Sequence, residues 1–383
     1  MLVEPLNATT PGLLETRRAP RLHFIDGLRG LAMLMVLLYH CWLFGGMWSV
    51  GFSAGTHHFN AAAVLGFGHV GVNLFLVLSG FCLYWPFVKS GSRREPTLRE
   101  FAWKRCRRIL PPYYVALVLS CVLPLTLALR HHDGASVHYT LDWLLLHALM
   151  LHNTRPGYIL GLNGSLWSLA LEFQLYILFP VLVEAYRRFS ARGVLLTVLL
   201  LCTAYRFFLV REHFLVDEAH GYVLAYSIFG RGFEFALGMF TALMVARRHA
   251  EQRSPLRWAD ALLPSVIFPL AVLDGRHGHF QTLTDAFWGL AFAVLILAGS
   301  RPETRLHRAL SHPLLVWLGL ISYSVYLIHL PLVIALGGYA SGRLPNTALV
   351  LFMLLLVFPL AVGLGYLFHL LFERPFMNAP RSR

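Results

Sequence analysis

The chain has 383 residues, of which 57% are hydrophobic and only 13% charged, about half the charged share of an ordinary soluble domain. That balance excludes a soluble globular fold and makes lipid the solvent for most of the chain. The formal net charge of +13 sits in short clusters between apolar runs, so membrane topology accounts for it and no nucleic-acid partner is expected.

In chain order, residues 1–22 read as a polar tail with no removable signal peptide. Apolar stretches long enough to span follow at 28–45, 62–88, 109–129, 166–186, 193–210, 221–246, 259–274, 284–300, 313–337 and 347–370, and residues 371–383 form a second tail. A shorter run at 141–151 is too short to cross and reads as an interfacial or re-entrant helix. With both tails cytoplasmic, 24 of the Lys and Arg residues fall on inside segments and 6 on outside ones, in strict alternation. The sequence therefore predicts one all-α domain over 1–383: a polytopic membrane bundle of about ten transmembrane helices plus the short helix. The five cysteines (Cys41, Cys82, Cys106, Cys121, Cys202) show no CxxC spacing, so neither a disulfide framework nor a metal site is expected.

Ionisable side chains inside spans are costly in lipid and are functional candidates by default. Arg29 and His40 in the first span are eleven residues apart, close to three turns, and so share one helix face. The same geometry separates them by ~16 Å along the axis. Asn73 and Ser79 lie in the second span. Lys104, Arg105 and Arg108 belong to a basic cluster before the third, where arginines suit phosphate groups but a plain positive-inside cluster has the same look. Ser168, Glu172 and Tyr176 repeat every four residues on one face, with Glu172 about a turn inside the outer interface. Arg231 and Glu234 are spaced for a structural ion pair. Tyr326 and His329 share a face of the ninth span.

Seven stretches occur in a family's order: FIDGLRGLAMLMVLLYH, GVNLFLVLSGF, KRCRRILPPYY, SLWSLALEFQLY, RGFEFALG, LGLISYSVYLIHLPL and LFERPF. Together, over residues 24–376, the chain resembles membrane acyltransferase family 3, which includes bacterial O-antigen and exopolysaccharide acetyltransferases. The resemblance implies Arg29 and His40 as the catalytic centre and Arg105 with Arg108 near an acyl-CoA donor. It also implies residence in the bacterial cytoplasmic (inner) membrane. Asn73 departs from the family, which often has Asp there. Some relatives carry an extra C-terminal hydrolase-like domain; this chain ends shortly after the last span, so such an activity is expected from another protein.

The expected reaction takes an acyl group, acetyl by resemblance, from cytoplasmic acyl-CoA to a hydroxyl of a glycan or small-molecule acceptor, with no permanently bound cofactor. Arg105, Arg108 and Lys104 would hold the CoA phosphates. Arg29 would hold the donor or stabilise an oxyanion. His40 would act as general base or carry the acyl group as an acyl-imidazole. Glu172, with Asn73, Ser168, Tyr176, Tyr326 and His329 in support, would orient His40 or bind acceptor. A transporter with a buried Arg/His/Glu relay is the competing reading. A metal enzyme is the third, prompted by His131, His132, His138, His147 and His152, which show no HExxH spacing.

Overall fold

The computed structural model describes residues 22–45, 51–54, 57–60, 62–89, 97–131, 140–211, 218–251 and 281–377. In chain order the main helices are α1 (His23–Phe44), α2 (Gly71–Val88, entered through a 3-10 turn at Gly66–Val70), α3 (Leu98–His131), α4 (Leu141–Ala148) and α5 (Leu166–Arg188). They continue as α6 (Ala191–Arg211), α7 (Glu218–Ala225), α8 (Ile228–Glu251), α9 (Gln281–Gly299), α10 (Arg305–Leu310), α11 (Pro313–Ala340) and α12 (Asn346–Met377). The architecture is the expected helical membrane bundle. One addition is a small antiparallel hairpin after α1, β1 (Gly51–Ala54) with β2 (His57–Asn60), Gly51 facing Asn60.

Among the described residues, seven helical segments are long and apolar enough to cross a membrane: His23–Phe44, Gly66–Val88, Leu166–Arg188, Ala191–Leu209, Val223–His249, Pro313–Ala340 and Asn346–Met377. Leu283–Gly299 is a shorter apolar helix, and the 109–129 stretch lies within α3. The expected span at 259–274 lies outside the described residues, as do most of both tails and His132 and His138. The last helix runs on to Met377, past the expected boundary at 371, and carries Glu373 fully buried into the bundle.

Lipid tails are as apolar as leucine, so helices in a bilayer associate by close approach of small residues rather than by exclusion of water. A Cβ on Gly27 would collide with the Leu310 carbonyl, one on Gly319 with that of Asp26, and one on Gly337 with that of Phe44. The Asp26–Gly319 and Phe44–Gly337 contacts advance together along both chains, so α1 and α11 are parallel neighbours, while Gly27 abuts the end of α10. Gly80 and Gly238 make the matching antiparallel approach between α2 and α8, against the carbonyls of Phe235 and Val77.

The short helix α4 leads a re-entrant segment. Tyr113 and Tyr114 of α3 donate to the His147 and Ala148 carbonyls at 2.7 and 2.9 Å, and Asp142 accepts from Arg155 and Tyr158, each at 2.8 Å. Hydrogen bonds from Thr140 and Tyr158 hold the Asp142 carboxyl below its ordinary range. The chain turns inward through two residues with positive φ, Met150 and Leu162. Asn163 then docks against α11. Pro331 in that helix has no N–H, which strips the Leu327 carbonyl of its helical donor. Asn163 Nδ2 supplies the missing hydrogen bond at 2.8 Å. Leu327 is near the middle of the 28-residue α11, so the chain enters α5 beside the middle of that helix rather than beside one of its ends.

Candidate functional site

That start governs what α5 presents to the interior. Ser168 Oγ meets Tyr326 OH at 2.6 Å. Glu172 accepts from Ser79 Oγ at 2.6 Å and from Tyr176 OH, and Ser79 also reaches Tyr176 at 3.2 Å. A carboxylate in lipid must be paired, and these hydroxyls supply part of that pairing. Arg29 is among the charges that act on this cluster from α1, with Glu172 and Asp26 as its acidic neighbours.

These groups line a cavity of about 830 Å³, open mouth included, built by α1, α2, α3, α5 and α11. Its polar lining is Arg29, Ser79, Arg105, Arg108, Ser168, Glu172, Tyr176, Ser322, Tyr323 and Tyr326, with Cys82 beside them. Three guanidiniums face one lining carboxylate. Arg108 lies 4.0 Å from Glu373, which is otherwise held by Ser324 Oγ at 2.6 Å and His369 Nδ1 at 2.8 Å. The Arg105 Nε is buried and, among the described residues, has no hydrogen-bond partner.

Of the residues singled out from sequence, Arg29, Arg105, Arg108, Ser168, Glu172, Tyr176 and Tyr326 converge on this cavity. His40 does not line it. His40 Nδ1 instead meets His329 Nε2 at 2.9 Å, and the His329 ring packs 5.5 Å from that of Tyr326 on the cavity wall. Arg29 and His40 share a helix face, as expected, but not one chamber wall. The ~16 Å of helix between them prevents both from touching the same atom. Glu172 is also displaced from expectation: it packs with Ser79 and Tyr176 on the cavity wall, whereas His40 stands outside that cavity. Lys104 is exposed and stands away from the cavity.

Asn73 is drawn into a different network, donating to Asp285 Oδ1 at 2.8 Å. Asp285 also pairs with Arg206 and lies 3.7 Å from Arg231, which is held bidentately by Glu234 at 2.5 and 2.8 Å. Buried Glu234 and half-buried Asp285 thus balance two guanidiniums and tie α2, α6, α8 and α9 together, which extends the expected Arg231–Glu234 ion pair. Of the histidine cluster, His147 and His152 are buried and stacked, ring centroids 4.3 Å apart. Sequence reasoning left Glu373, Cys82 and Asp285 without a role. The signal for Glu373 lies in LFERPF, one of the stretches that carry the family resemblance.

Fold and cavity define a polytopic membrane protein with a cationic interior site. The chain belongs to the acyltransferase family whose Acyltransferase domain model matches residues 22–369. It is 27% identical to YrhL of Bacillus subtilis (strain 168) over 330 residues, 81% of this chain and 48% of that protein. It is 24% identical to the peptidoglycan O-acetyltransferase OatA of Listeria monocytogenes over 329 residues, 81% of this chain and 49% of that protein. Identity to the O-acetyltransferase OatA of Staphylococcus aureus (strain NCTC 8325 / PS 47) is 24% over 354 residues, 87% of this chain and 54% of that protein. The chain spans about half the length of these curated relatives. No solved structure matches it.

Proposed function

We propose that this chain transfers an acetyl group from cytoplasmic acetyl-CoA to a hydroxyl of a cell-surface glycan, across the bacterial cytoplasmic membrane. The observation that carries the reading is the convergence of Arg29, Arg105 and Arg108 on one cavity whose only lining carboxylate among the described residues is Glu172. Such an excess of guanidinium in a low-dielectric site calls for a multiply charged anion, and arginine forks fit phosphate oxygens bidentately. The relatives' O-acetyltransferase names support acetyl as the acyl group and a peptidoglycan-type glycan as the acceptor to test.

The distance between Arg29 and His40 divides the labour. A group three turns from His40 cannot stabilise an oxyanion formed beside it, so Arg29 joins Arg105 and Arg108 in holding the donor's phosphates. Glu172 limits the positive potential and, through Ser79 and Tyr176, fixes that wall. The donor's long thin arm then extends past Ser168 and Tyr326 toward His40. There the imidazole takes the proton of the acceptor hydroxyl, or first accepts the acyl group itself. A relay for transport would need no such polyanion site.

Cys82 offers a direct test, because its thiol shares the cavity with the three arginines. Acetyl-CoA should slow maleimide labelling of Cys82 in the detergent-purified chain, read peptide by peptide by mass spectrometry, while leaving Cys106 and Cys121 unaffected. Equal Cys82 labelling at saturating acetyl-CoA would remove the donor from this cavity.

A further inference from the structure

His329 is buried in the middle of the bundle, and both of its ring nitrogens have assigned neighbours. Nδ1 lies 2.9 Å from the Tyr326 carbonyl and 3.1 Å from the Val325 carbonyl. Carbonyl oxygens only accept, so Nδ1 must carry the proton. In the neutral ring Nε2 is then an acceptor. The atom facing it, at 2.9 Å, is His40 Nδ1, which must therefore be the donor. A neutral imidazole holds one proton, so the hydrogen-bond chain leaves His40 Nε2 with its lone pair. Among the described residues Nε2 has no hydrogen-bond partner, and Phe44 stacks on the ring at 6.1 Å between centroids.

We infer that His329 is a positioning residue that fixes the tautomer and ring angle of His40, so that His40 Nε2 is the nitrogen presented for acyl transfer. Two backbone carbonyls of α11 act here, through a second imidazole, as the orienting acceptor that a carboxylate provides in a serine-protease triad. The inference rests on His40 being the transfer base. When the acceptor hydroxyl attacks the acyl carbonyl, its O–H bond breaks and the proton goes to His40 Nε2. The new positive charge is shared through Nδ1–H···Nε2 with His329, whose Nδ1–H is held by the two carbonyls. The acyl carbon–sulfur bond breaks, and the departing thiolate takes the proton to leave as free CoA thiol. His40 returns to its starting tautomer because His329 offers Nδ1–H only an acceptor.

The experiment compares three variants of the full chain in detergent, assayed by release of CoA thiol from acetyl-CoA with soluble peptidoglycan fragments as the probe acceptor. His329→Gln places an amide oxygen near the position of Nε2 and should keep most of kcat. His329→Asn can still donate to the α11 carbonyls but is too short to reach His40, and should lower kcat at least about tenfold. His329→Leu should fall as far or further. KM for acetyl-CoA should stay unchanged in all three, because the cationic end of the cavity is untouched. If Asn and Leu match Gln, or if KM moves with kcat, His329 is a packing residue and the inference is overturned. His40→Ala distinguishes the two levels. An inactive His40→Ala beside three fully active His329 variants rejects only the positioning role, whereas an active His40→Ala rejects the base assignment beneath it.

Discussion

At the scale of single residues, the cavity separates side chains that look alike in sequence. Lys104 and Arg105 are adjacent, yet Arg105 lines the cavity with its Nε buried while Lys104 is exposed. Arg105→Ala should raise KM for acetyl-CoA about tenfold, roughly the worth of one charge-assisted hydrogen bond, with kcat little changed. Lys104→Ala should leave KM within about twofold. Steady-state kinetics on both variants checks the pair, and equal effects would contradict the placement. The sequence exposed Arg29, Arg105, Arg108, Glu172 and His40 because ionisable groups near or within apolar runs are expensive. It did not expose the His40–His329 hydrogen bond, which joins residues 289 positions apart. Nor did it expose Glu373, whose burial depends on α12 continuing through a π-type turn at His369–Glu373 and meeting Ser324.

At the scale of elements, the site depends on where α5 begins. Asn163 bonds the Leu327 carbonyl that Pro331 leaves without a donor. Asn163→Leu should destabilise the protein by about 1–3 kcal/mol, the cost of an unsatisfied buried carbonyl, and should lower activity by loosening Ser168 and Glu172. In a Pro331→Ala background the restored N–H can serve Leu327, so the same substitution should cost measurably less. Thermal melting of the four proteins in detergent gives the cycle, and strict additivity would contradict the coupling. The α1–α11 approach makes a second prediction. Gly319→Leu drives a side chain into the Asp26 backbone and should destabilise by about 3 kcal/mol; an unchanged melting temperature would refute that contact. Apolar run lengths revealed these helices, and 141–151 was legible as non-spanning. The place where α5 begins was not, because it follows from a proline in one helix and an asparagine about 170 positions earlier in another segment.

At the scale of the whole molecule, two approaches meet in the interior. The cationic cavity is lined on one side by Arg105, Arg108 and Ile109 of α3. The segment after α4 brings the start of α5 beside the middle of α11. Tyr326 and His329 stand on α11 between the cavity and His40. Composition and charge alternation were enough to read a many-pass bundle, since lipid leaves a chain few other options. They could not say that Arg29 lines the cavity while His40 stands outside it beside His329. The central claim is that acyl transfer runs through the His40 imidazole. The direct measurement is transfer of radiolabelled acetyl from acetyl-CoA to peptidoglycan fragments by purified, correctly folded wild-type and His40→Ala protein. The account predicts loss of transfer by a factor of at least about 10², with Cys82 still protected by acetyl-CoA. Undiminished transfer by His40→Ala would contradict it.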